Sequence, residues 1–179
     1  MKSCRHQYIL GLGSNLGDRA GQLGSALQAL SSLPSTQVVA VSPAYDSDPV
    51  GYADQGNFLN LCLIIISEYN PQQLLSRTLA IEARLGRIRG AERNGPRTLD
   101  IDLLFWSGGT WDTPELTLPH LRWSSRGFVL VPLRELLQHQ SIASESTWDS
   151  LKAEVTTLPA GTEGLRPWQG PTPWMQTPS

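Results

Sequence analysis

Residues 95–105 read GPRTLDIDLLF, and this stretch decides how the rest of the sequence is interpreted. Asp100 and Asp102 are two positions apart within a run of aliphatic residues, and in a β-strand this spacing places both carboxylates on one face. The opposite face is predicted to carry Leu99, Ile101, Leu103 and Phe105. Because Mg²⁺ is bound in proteins mainly by carboxylate and phosphate oxygens, two acids on one strand face indicate a magnesium site.

Basic residues are concentrated just before this acid pair. Five arginines lie within a stretch of fourteen residues, at positions Arg84, Arg87, Arg89, Arg93 and Arg97. A solvated basic turn and an RNA-binding surface are two alternative interpretations of such a run. The run contains no aromatic side chain on which a base would stack, and the formal net charge of the chain is only −2. A small phosphate-rich ligand is therefore favoured, since guanidinium groups suit bidentate contacts with phosphate.

The composition indicates a globular protein of one domain. The chain has 179 residues, of which 40% are hydrophobic and 17% are charged, values that allow a sizeable core. We expect this domain to cover residues 1–156, and residues 157–179, which are rich in Pro and Gly, to form a poorly ordered tail. The sequence shows neither a secretory signal nor a membrane-length apolar segment. We therefore expect a cytoplasmic monomer that acts without membrane or nucleic acid.

The order of predicted elements is typical of one α+β architecture. Strands are predicted at residues 8–12, 38–45, 58–67 and 99–105, with a helix ending near residue 33 and another over residues 71–85. A short edge strand is predicted at 116–119, and short helices are predicted at 128–137 and 147–155. The order βαββαβ indicates a ferredoxin-like sandwich, in which an antiparallel sheet has helices on one face. The other face is expected to be free for ligands.

Two further motifs are relevant to ligand binding. The Gly-rich stretch 11–17 lacks the Gly-Lys-Ser/Thr ending of a phosphate-binding loop, so it is interpreted as a tight structural turn. Phe58 and Asn60 share one face of their predicted strand, and that face is expected to look out beside the acid pair. An aromatic ring next to an amide suits a flat heterocycle that needs stacking and hydrogen bonds at its edge. By themselves, His120 and Arg126 are equally well explained as turn residues.

Four segments, in this order, resemble the 6-hydroxymethyl-7,8-dihydropterin pyrophosphokinase family. They are GLGSNLGDR at 11–19, DPVG and DQGNFLN between 48 and 60, IEARLGRIRGAERNGPRTLDIDLL at 81–104, and LPH with RGFVLVPL between 118 and 133. The resemblance implies transfer of pyrophosphate from ATP to the hydroxymethyl group of the pterin, with release of AMP, in folate biosynthesis. A ferredoxin-like RNA-binding or regulatory module that uses the Arg-rich loop is the alternative.

The resemblance also implies a role for individual residues. Asp100 and Asp102 match the carboxylates that hold two Mg²⁺ ions, and ATP is the implied co-substrate. The implied catalytic residues are Arg87, Arg97 and Asp102. The implied ATP contacts are Glu82, Arg87, Arg89, Arg97, His120 and Arg126. The implied pterin contacts are the stacking pair Phe58 and Phe128, the amide of Asn60, and the backbone of Ser47 and Val50.

Three positions depart from the family pattern. Phe58 stands where tyrosine is frequent, which keeps the ring and removes a hydroxyl. Asn94 and Leu121 stand where aromatic residues occur, so closure of the Arg-rich loop and one side of the nucleotide pocket are expected to differ.

Overall fold

Six strands form an antiparallel sheet in the computed structural model, which describes residues 5–50, 54–87, 95–143 and 146–175. Its strands are β1 (His6–Ser14), β2 (Thr36–Val41), β3 (Tyr45–Ser47), β4 (Phe58–Ser67), β5 (Asp100–Trp106) and β8 (Leu165–Pro167). The sheet has the order β5-β1-β4-β3-β8, and β2 pairs with β4 next to β3. Two short strands, β6 (Trp111–Asp112) and β7 (Thr117–Leu118), form a separate pair.

Five α-helices connect or follow these strands: α1 (Arg19–Ser31), α2 (Pro71–Arg84), α3 (Gly127–Gln138), α4 (Gln140–Ala143) and α5 (Asp149–Thr157). Local sequence explains where the first two begin. The carboxylate of Asp18 accepts a hydrogen bond from the backbone of Gly21, and Asn70 forms a reciprocal capping box with Gln73. None of the described helices is long and apolar enough to span a membrane.

Alternation along the central strands builds two cores on the two faces of the sheet. Tyr8, Leu10 and Leu12 of β1 pack with α1 and α2, whereas Ile9 packs with α3 and α5 on the opposite face. Strand β4 divides in the same way, with Leu61 in the first core and Cys62 in the second. The ferredoxin-like α+β fold is therefore confirmed, and the helices of the second face are an addition to the prediction.

That second face is only partly open, contrary to the expectation that it would be free. Helices α3 and α5 cover the end of the face that contains Ile9, Ile64 and Leu104. The other end, near the start of β5, is left for a ligand.

Two predicted strands differ in detail from the structure. The segment predicted as one strand over 38–45 forms β2 and β3, because Pro43 has no N–H and interrupts the pairing with β4. Phe105 belongs to the second core, not the first, and contacts the Trp123 ring at 5.0 Å between ring centres. The pairing of β1 with β5 shifts register between Ile9 and Leu10, and this irregularity reverses the expected alternation.

The structure also differs from the prediction of a poorly ordered tail. Residues 158–175 are described, and β8 pairs with β3 in the main sheet. Trp168 packs beneath the guanidinium of Arg19, 5.2 Å from the ring centre. Composition alone did not indicate this order, because the stabilising contacts come from residues distant in the chain, such as Tyr45 opposite Pro167.

Candidate active site

One row of residues crosses the open end of the sheet. Asp100 on β5 lies opposite Gly13 on β1, and Gly13 lies opposite Asn60 on β4. The neighbouring row joins Asp102 to Gly11. Since alternate residues of a strand share a face, the acid pair and the Asn60 amide stand on one surface, separated by two glycines that have no side chains. The sheet therefore provides a flat floor between acids and amide.

A cavity of about 390 Å³ lies over this floor. Phe58 from β4 and Phe128 from the start of α3 contribute aromatic rings to its wall. Each ring has an arginine beside it: Arg97 is 5.6 Å from the centre of Phe58, and Arg126 is 5.5 Å from the centre of Phe128. The cavity thus combines two aromatic rings with two guanidinium groups.

Asn60 is held in one orientation inside this cavity. Its side chain is 5% exposed, and its Nδ2 donates a hydrogen bond to Ser47 Oγ at 2.8 Å. Ser47 lies within β3, and its contact with Asn60 is made by its hydroxyl group rather than by its backbone. The amide oxygen lies above Gly13, where an added Cβ would stand only 2.9 Å away.

A second cavity of about 560 Å³ adjoins the first. Its apolar side is formed by Leu75 and Leu79 of α2 and by Leu116 before β7. The residues that line both cavities are Arg87, Asp100, Asp102, His120 and Arg122. Two spaces of different character therefore meet at the acid pair, and a group can be passed between ligands bound on either side.

Asp100 is held by two arginines. Its Oδ1 accepts a hydrogen bond from Arg87 at 2.6 Å, and its Oδ2 accepts one from Arg97 at 2.7 Å. Arg87 also lies 2.6 Å from Glu82 Oε1, and this buried oxygen accepts the N–H of Ile101 at 2.7 Å. Glu82 therefore fixes the backbone between the two acids while it holds Arg87. Burial lowers the pKa of Arg87, but the charges of Asp100 and Glu82 outweigh it and raise that pKa.

The negative charge of Asp102 is less well compensated. Arg126 is 3.7 Å from its Oδ2, and the Asp102 side chain is 36% exposed. Burial and the neighbouring charge of Asp100 raise the pKa of Asp102 to about 7, against the opposing charges of Arg126 and Arg97. A carboxylate with a raised pKa lies where the protein disfavours its negative charge, so a bound cation would be favourable there.

His120 presents a neutral imidazole at the junction of the cavities. Its Nδ1 accepts the N–H of Arg122 at 3.2 Å, which leaves the ring proton on Nε2. Burial, followed by the charges of Arg126 and Arg122, lowers the pKa of His120 below its ordinary value. At neutral pH this side chain can therefore donate one hydrogen bond to a ligand without adding charge.

The donor set fits magnesium that shares its coordination with a phosphate. Within the described ranges, no three side chains from His, Cys, Asp and Glu come together as a complete metal site. Mg²⁺ commonly binds one or two carboxylates and completes its coordination with water and substrate phosphates. The raised pKa of Asp102 agrees with such an ion, whereas Asp100 would exchange a guanidinium contact for it.

Almost every predicted site residue lies at one of the two cavities. Glu82 lines the second cavity. The first cavity, here called the aromatic cavity because Phe58 and Phe128 line it, also has Ser47, Val50, Asn60, Arg97 and Arg126 in its lining. Arg87, Asp100, Asp102 and His120 line both. Arg89 and Asn94 lie outside the described residues. Leu121 lines the second cavity and is 80% exposed.

Several residues at the site were missed from the sequence. Gly11 and Gly13 were interpreted as part of a turn, yet they lie in β1; their spacing of two, like that of the acids, was the available signal. Arg122 lines both cavities and was not selected, although it is two residues from His120. The side-chain oxygen of Asn15 accepts a hydrogen bond from the backbone N–H of Arg97 at 2.8 Å, and nothing in the sequence indicated this contact.

Replacing Gly13 with alanine is expected to impair binding in the aromatic cavity selectively. The new Cβ would stand 2.9 Å from Asn60 Oδ1, and Asn60 cannot retreat without losing its hydrogen bond to Ser47. We expect the KM for the planar substrate to rise about tenfold, a cost of about 1.4 kcal/mol. Steady-state kinetics with each substrate varied in turn measures this.

Gly24→Ala is the matched control, because Gly24 lies within α1 and its added Cβ makes only ordinary contacts, 3.4 Å from Pro173. An equal rise in the KM of both substrates for Gly13→Ala would contradict the floor assigned to Gly13.

A family profile and two similar sequences identify the same enzyme family. Residues 9–138 match the profile of the family described as 7,8-dihydro-6-hydroxymethylpterin-pyrophosphokinase (HPPK). The chain is 39% identical over 160 residues to the 2-amino-4-hydroxy-6-hydroxymethyldihydropteridine pyrophosphokinase of Bacillus subtilis, and this covers 89% of each chain. It is 45% identical over 130 residues to the protein of the same name from Pseudomonas aeruginosa, covering 73% of this chain and 80% of that one.

Among solved structures, an HPPK-DHPS of Plasmodium falciparum with pterin and p-hydroxybenzoate is similar to 93% of this chain, with a TM-score of 0.64. The two sequences are 14% identical, so this likeness concerns the fold alone. The chain spans about half the length of that protein, 48%.

Proposed function

The chain belongs to the 7,8-dihydro-6-hydroxymethylpterin-pyrophosphokinase family, and we propose that its two adjoining cavities are the sites of the family's two substrates. It transfers pyrophosphate from ATP to the hydroxymethyl group of 6-hydroxymethyl-7,8-dihydropterin, in folate biosynthesis, and releases AMP. The observation that carries the assignment is the meeting of the cavities at Asp100 and Asp102. One substrate on each side brings the reacting atoms to the acid pair.

The pterin occupies the aromatic cavity in this proposal. Phe58 and Phe128 supply stacking surfaces, and the fixed amide of Asn60 supplies hydrogen bonds to the heterocycle edge. Because Gly11 and Gly13 leave the floor flat, a planar ring can lie against the sheet with its hydroxymethyl group toward the acids. Val50, which is 65% exposed, covers the ring from the loop after β3.

ATP occupies the second cavity, with its triphosphate at the junction. The aliphatic side formed by Leu75, Leu79 and Leu116 suits the nucleoside. Arg87 and Arg97, now on Asp100, turn to the phosphate oxygens, and the buried Arg97 Nε, which has no hydrogen-bond acceptor among the described residues, gains one. His120 and Arg126 complete the contacts. Arg89 is assigned to the same ligand on resemblance.

In this proposal Asp100 and Asp102 would hold two Mg²⁺ ions, and these ions would neutralise charge on the phosphates and lower the pKa of the pterin hydroxyl. The hydroxyl oxygen attacks the β-phosphorus in line, and AMP leaves. The residues contribute mainly by positioning and by matching developing charge, as is general for phosphoryl transfer. The proton of the pterin hydroxyl would pass to Asp102, the carboxylate at the junction of the two cavities.

The RNA-binding alternative is not favoured. In the described part of the Arg-rich stretch, Arg87 and Arg97 point into the site and contact Glu82 and Asp100 rather than an outer surface. The family assignment leads to the same conclusion.

Identification of the nucleotide product tests the proposed function. Purified protein with ATP, Mg²⁺ and 6-hydroxymethyl-7,8-dihydropterin is expected to release one AMP for each pterin diphosphate formed. Chromatography of the nucleotides measures this, and omission of the pterin is the control for ATP hydrolysis. Release of ADP, or turnover that does not depend on the pterin, would contradict the assignment.

A further inference from the structure

Residues 158–175, here called the C-terminal segment, lie against the wall of the aromatic cavity and beyond residues 9–138 that match the family profile. Resting on the function proposed above, we propose that this segment supports the pterin site from behind its wall, with Arg166 as a residue that positions β3 and the side chains of that wall. Three sets of contacts support this inference.

The C-terminal segment is anchored where it begins. Arg134 of α3 donates hydrogen bonds to the carbonyls of Val155, Leu158, Pro159 and Ala160, at distances from 2.7 to 3.0 Å. The backbones of Gly127 and Gly161 are in direct contact, with no room for a side chain at Gly127. Since Gly127 immediately precedes Phe128, the segment is fixed to the helix end that carries one of the two aromatic rings.

Strand β8 then continues the sheet beyond β3. Asp46 lies opposite Arg166 and Ser47 lies opposite Leu165, while the N–H of Asp48 donates to the carbonyl of Gly164 at 3.0 Å. Without β8, the three-residue strand β3 would be the edge of the sheet, held from one side only. Because Ser47 holds the amide of Asn60, the position of β3 determines the orientation of that amide.

The side chain of Arg166 neutralises two acids of this wall. Its Nη2 donates to Asp46 Oδ1 at 3.2 Å and to Asp48 Oδ1 at 2.6 Å. Asp46 also accepts hydrogen bonds from Arg19 and Asn57. Burial alone would raise the pKa of Asp46, but these hydrogen bonds lower it below its ordinary value.

The contact between Arg166 and Asp48 affects ligand binding, because Asp48 lines the aromatic cavity. Its carboxylate is packed between Arg166 and Gly164, where an added Cβ would be 2.9 Å from Asp48 Oδ2. Gly164 also has a φ of +65°, which favours glycine. With Arg166 removed, the like charges of Asp46 and Asp48 repel, and the Asp48 carboxylate is free to turn into the cavity.

Arg166 is 52% exposed, so its ion pairs contribute little to global stability. A positioning role and a structural role therefore predict different results. In the full-length chain we expect Arg166→Ala to raise the pterin KM about tenfold, with the ATP KM unchanged. Its melting temperature is expected to stay within about 2 °C of that of the parent protein. Amide exchange at residues 45–48 is expected to become faster.

Arg166→Lys is expected to restore most of the pterin affinity, because a single nitrogen of Arg166 reaches both carboxylates and an ammonium group can do the same. Lys152→Ala is the matched control: it removes a surface ion pair to Asp149 on α5, away from both cavities. We expect its kinetics to equal those of the parent protein.

The outcomes separate this inference from the proposed function. A parent protein that releases no AMP would overturn the function itself. If the parent is active but Arg166→Ala has an unchanged pterin KM, the inference alone is overturned. It is also overturned if Arg166→Ala loses melting temperature and kcat together at constant KM, since that is the result of a merely structural contact.

Discussion

The variant Asp102→Asn is expected to lose at least about 10³-fold in kcat, because under the proposed mechanism it removes a charged ligand of the metal ions. The substitution keeps the size and shape of the side chain but removes its negative charge. Asp102 lies on the same face of β5 as Asp100 and lines both cavities, so the change affects the point where the two cavities meet. Measurement of AMP release at saturating substrates tests this.

The same variant is expected to be slightly more stable than the parent protein. Because the pKa of Asp102 is raised to about 7, the folded state binds its proton more tightly than the unfolded chain does. The pKa of an aspartate in the unfolded chain is about 4. The free energy of unfolding therefore decreases as the pH rises from this pKa through the pKa of Asp102 in the folded protein. At pH 8 without Mg²⁺, asparagine avoids this loss, and we expect a melting temperature higher by a few degrees.

The increase is limited because the side chain of Asp102 is partly exposed to solvent. At pH 4, where the unfolded chain also begins to bind the proton, the difference in melting temperature should shrink. An inactive variant that is unfolded, or a fully active one, would each contradict the role given to this carboxylate.

Replacing Arg97 with alanine is the second change with a large expected effect. We expect kcat/KM to fall by roughly 10²- to 10⁴-fold, equivalent to about 3–5 kcal/mol of transition-state stabilisation. Arg97 contacts Asp100 at 2.7 Å and Phe58 at 5.6 Å, so its guanidinium group lies between the acid pair and the aromatic cavity. Steady-state kinetics with both substrates measures the loss.

The loop around Arg97 should survive this substitution. Its backbone N–H and carbonyl are held by Asn15, at 2.8 and 3.2 Å, and these bonds do not involve the side chain. The kcat/KM of Arg97→Lys should lie between those of the parent protein and Arg97→Ala, because an ammonium group keeps the charge without the bidentate geometry. The matched control is Arg77→Ala on α2, whose guanidinium lies 5.4 Å from the Tyr69 ring and outside both cavities. Equal losses for the two arginines would rule out a specific phosphate contact by Arg97.

The elements that could be predicted from the sequence are those specified by local patterns. Strand β4 has the predicted bounds, 58–67, because a mainly apolar stretch follows a polar loop. Helix α2 begins at Pro71 because Asn70 caps it. The acid pair was predicted to share one strand face, and the spacing of two residues is sufficient for that conclusion.

Features that depend on distant contacts could not be predicted in this way. Phe105 changes face because of a register shift between β1 and β5, which no pattern within β5 reveals. The order of the C-terminal segment depends on contacts such as that of Arg166 with Asp46, 120 residues apart. Composition predicted disorder there because prolines and glycines form no periodic pattern.

Within the site, side-chain identity was easier to predict than arrangement. The resemblance selected Arg87 and Arg97, but the structure adds that both arginines contact the same carboxylate, Asp100. The glycine floor was missed, because the glycines were assigned to a turn and their place in β1 depends on pairing with β4 and β5.

In the proposed mechanism, Asp100 and Asp102 bind divalent cations together with the phosphates of ATP. Isothermal titration calorimetry with a non-hydrolysable ATP analogue, with and without Mg²⁺, tests this binding. We predict binding that depends on Mg²⁺ in the parent protein and is lost in the double variant Asp100→Ala/Asp102→Ala. Equal affinity with and without Mg²⁺, or unchanged magnesium dependence in the double variant, would contradict the account.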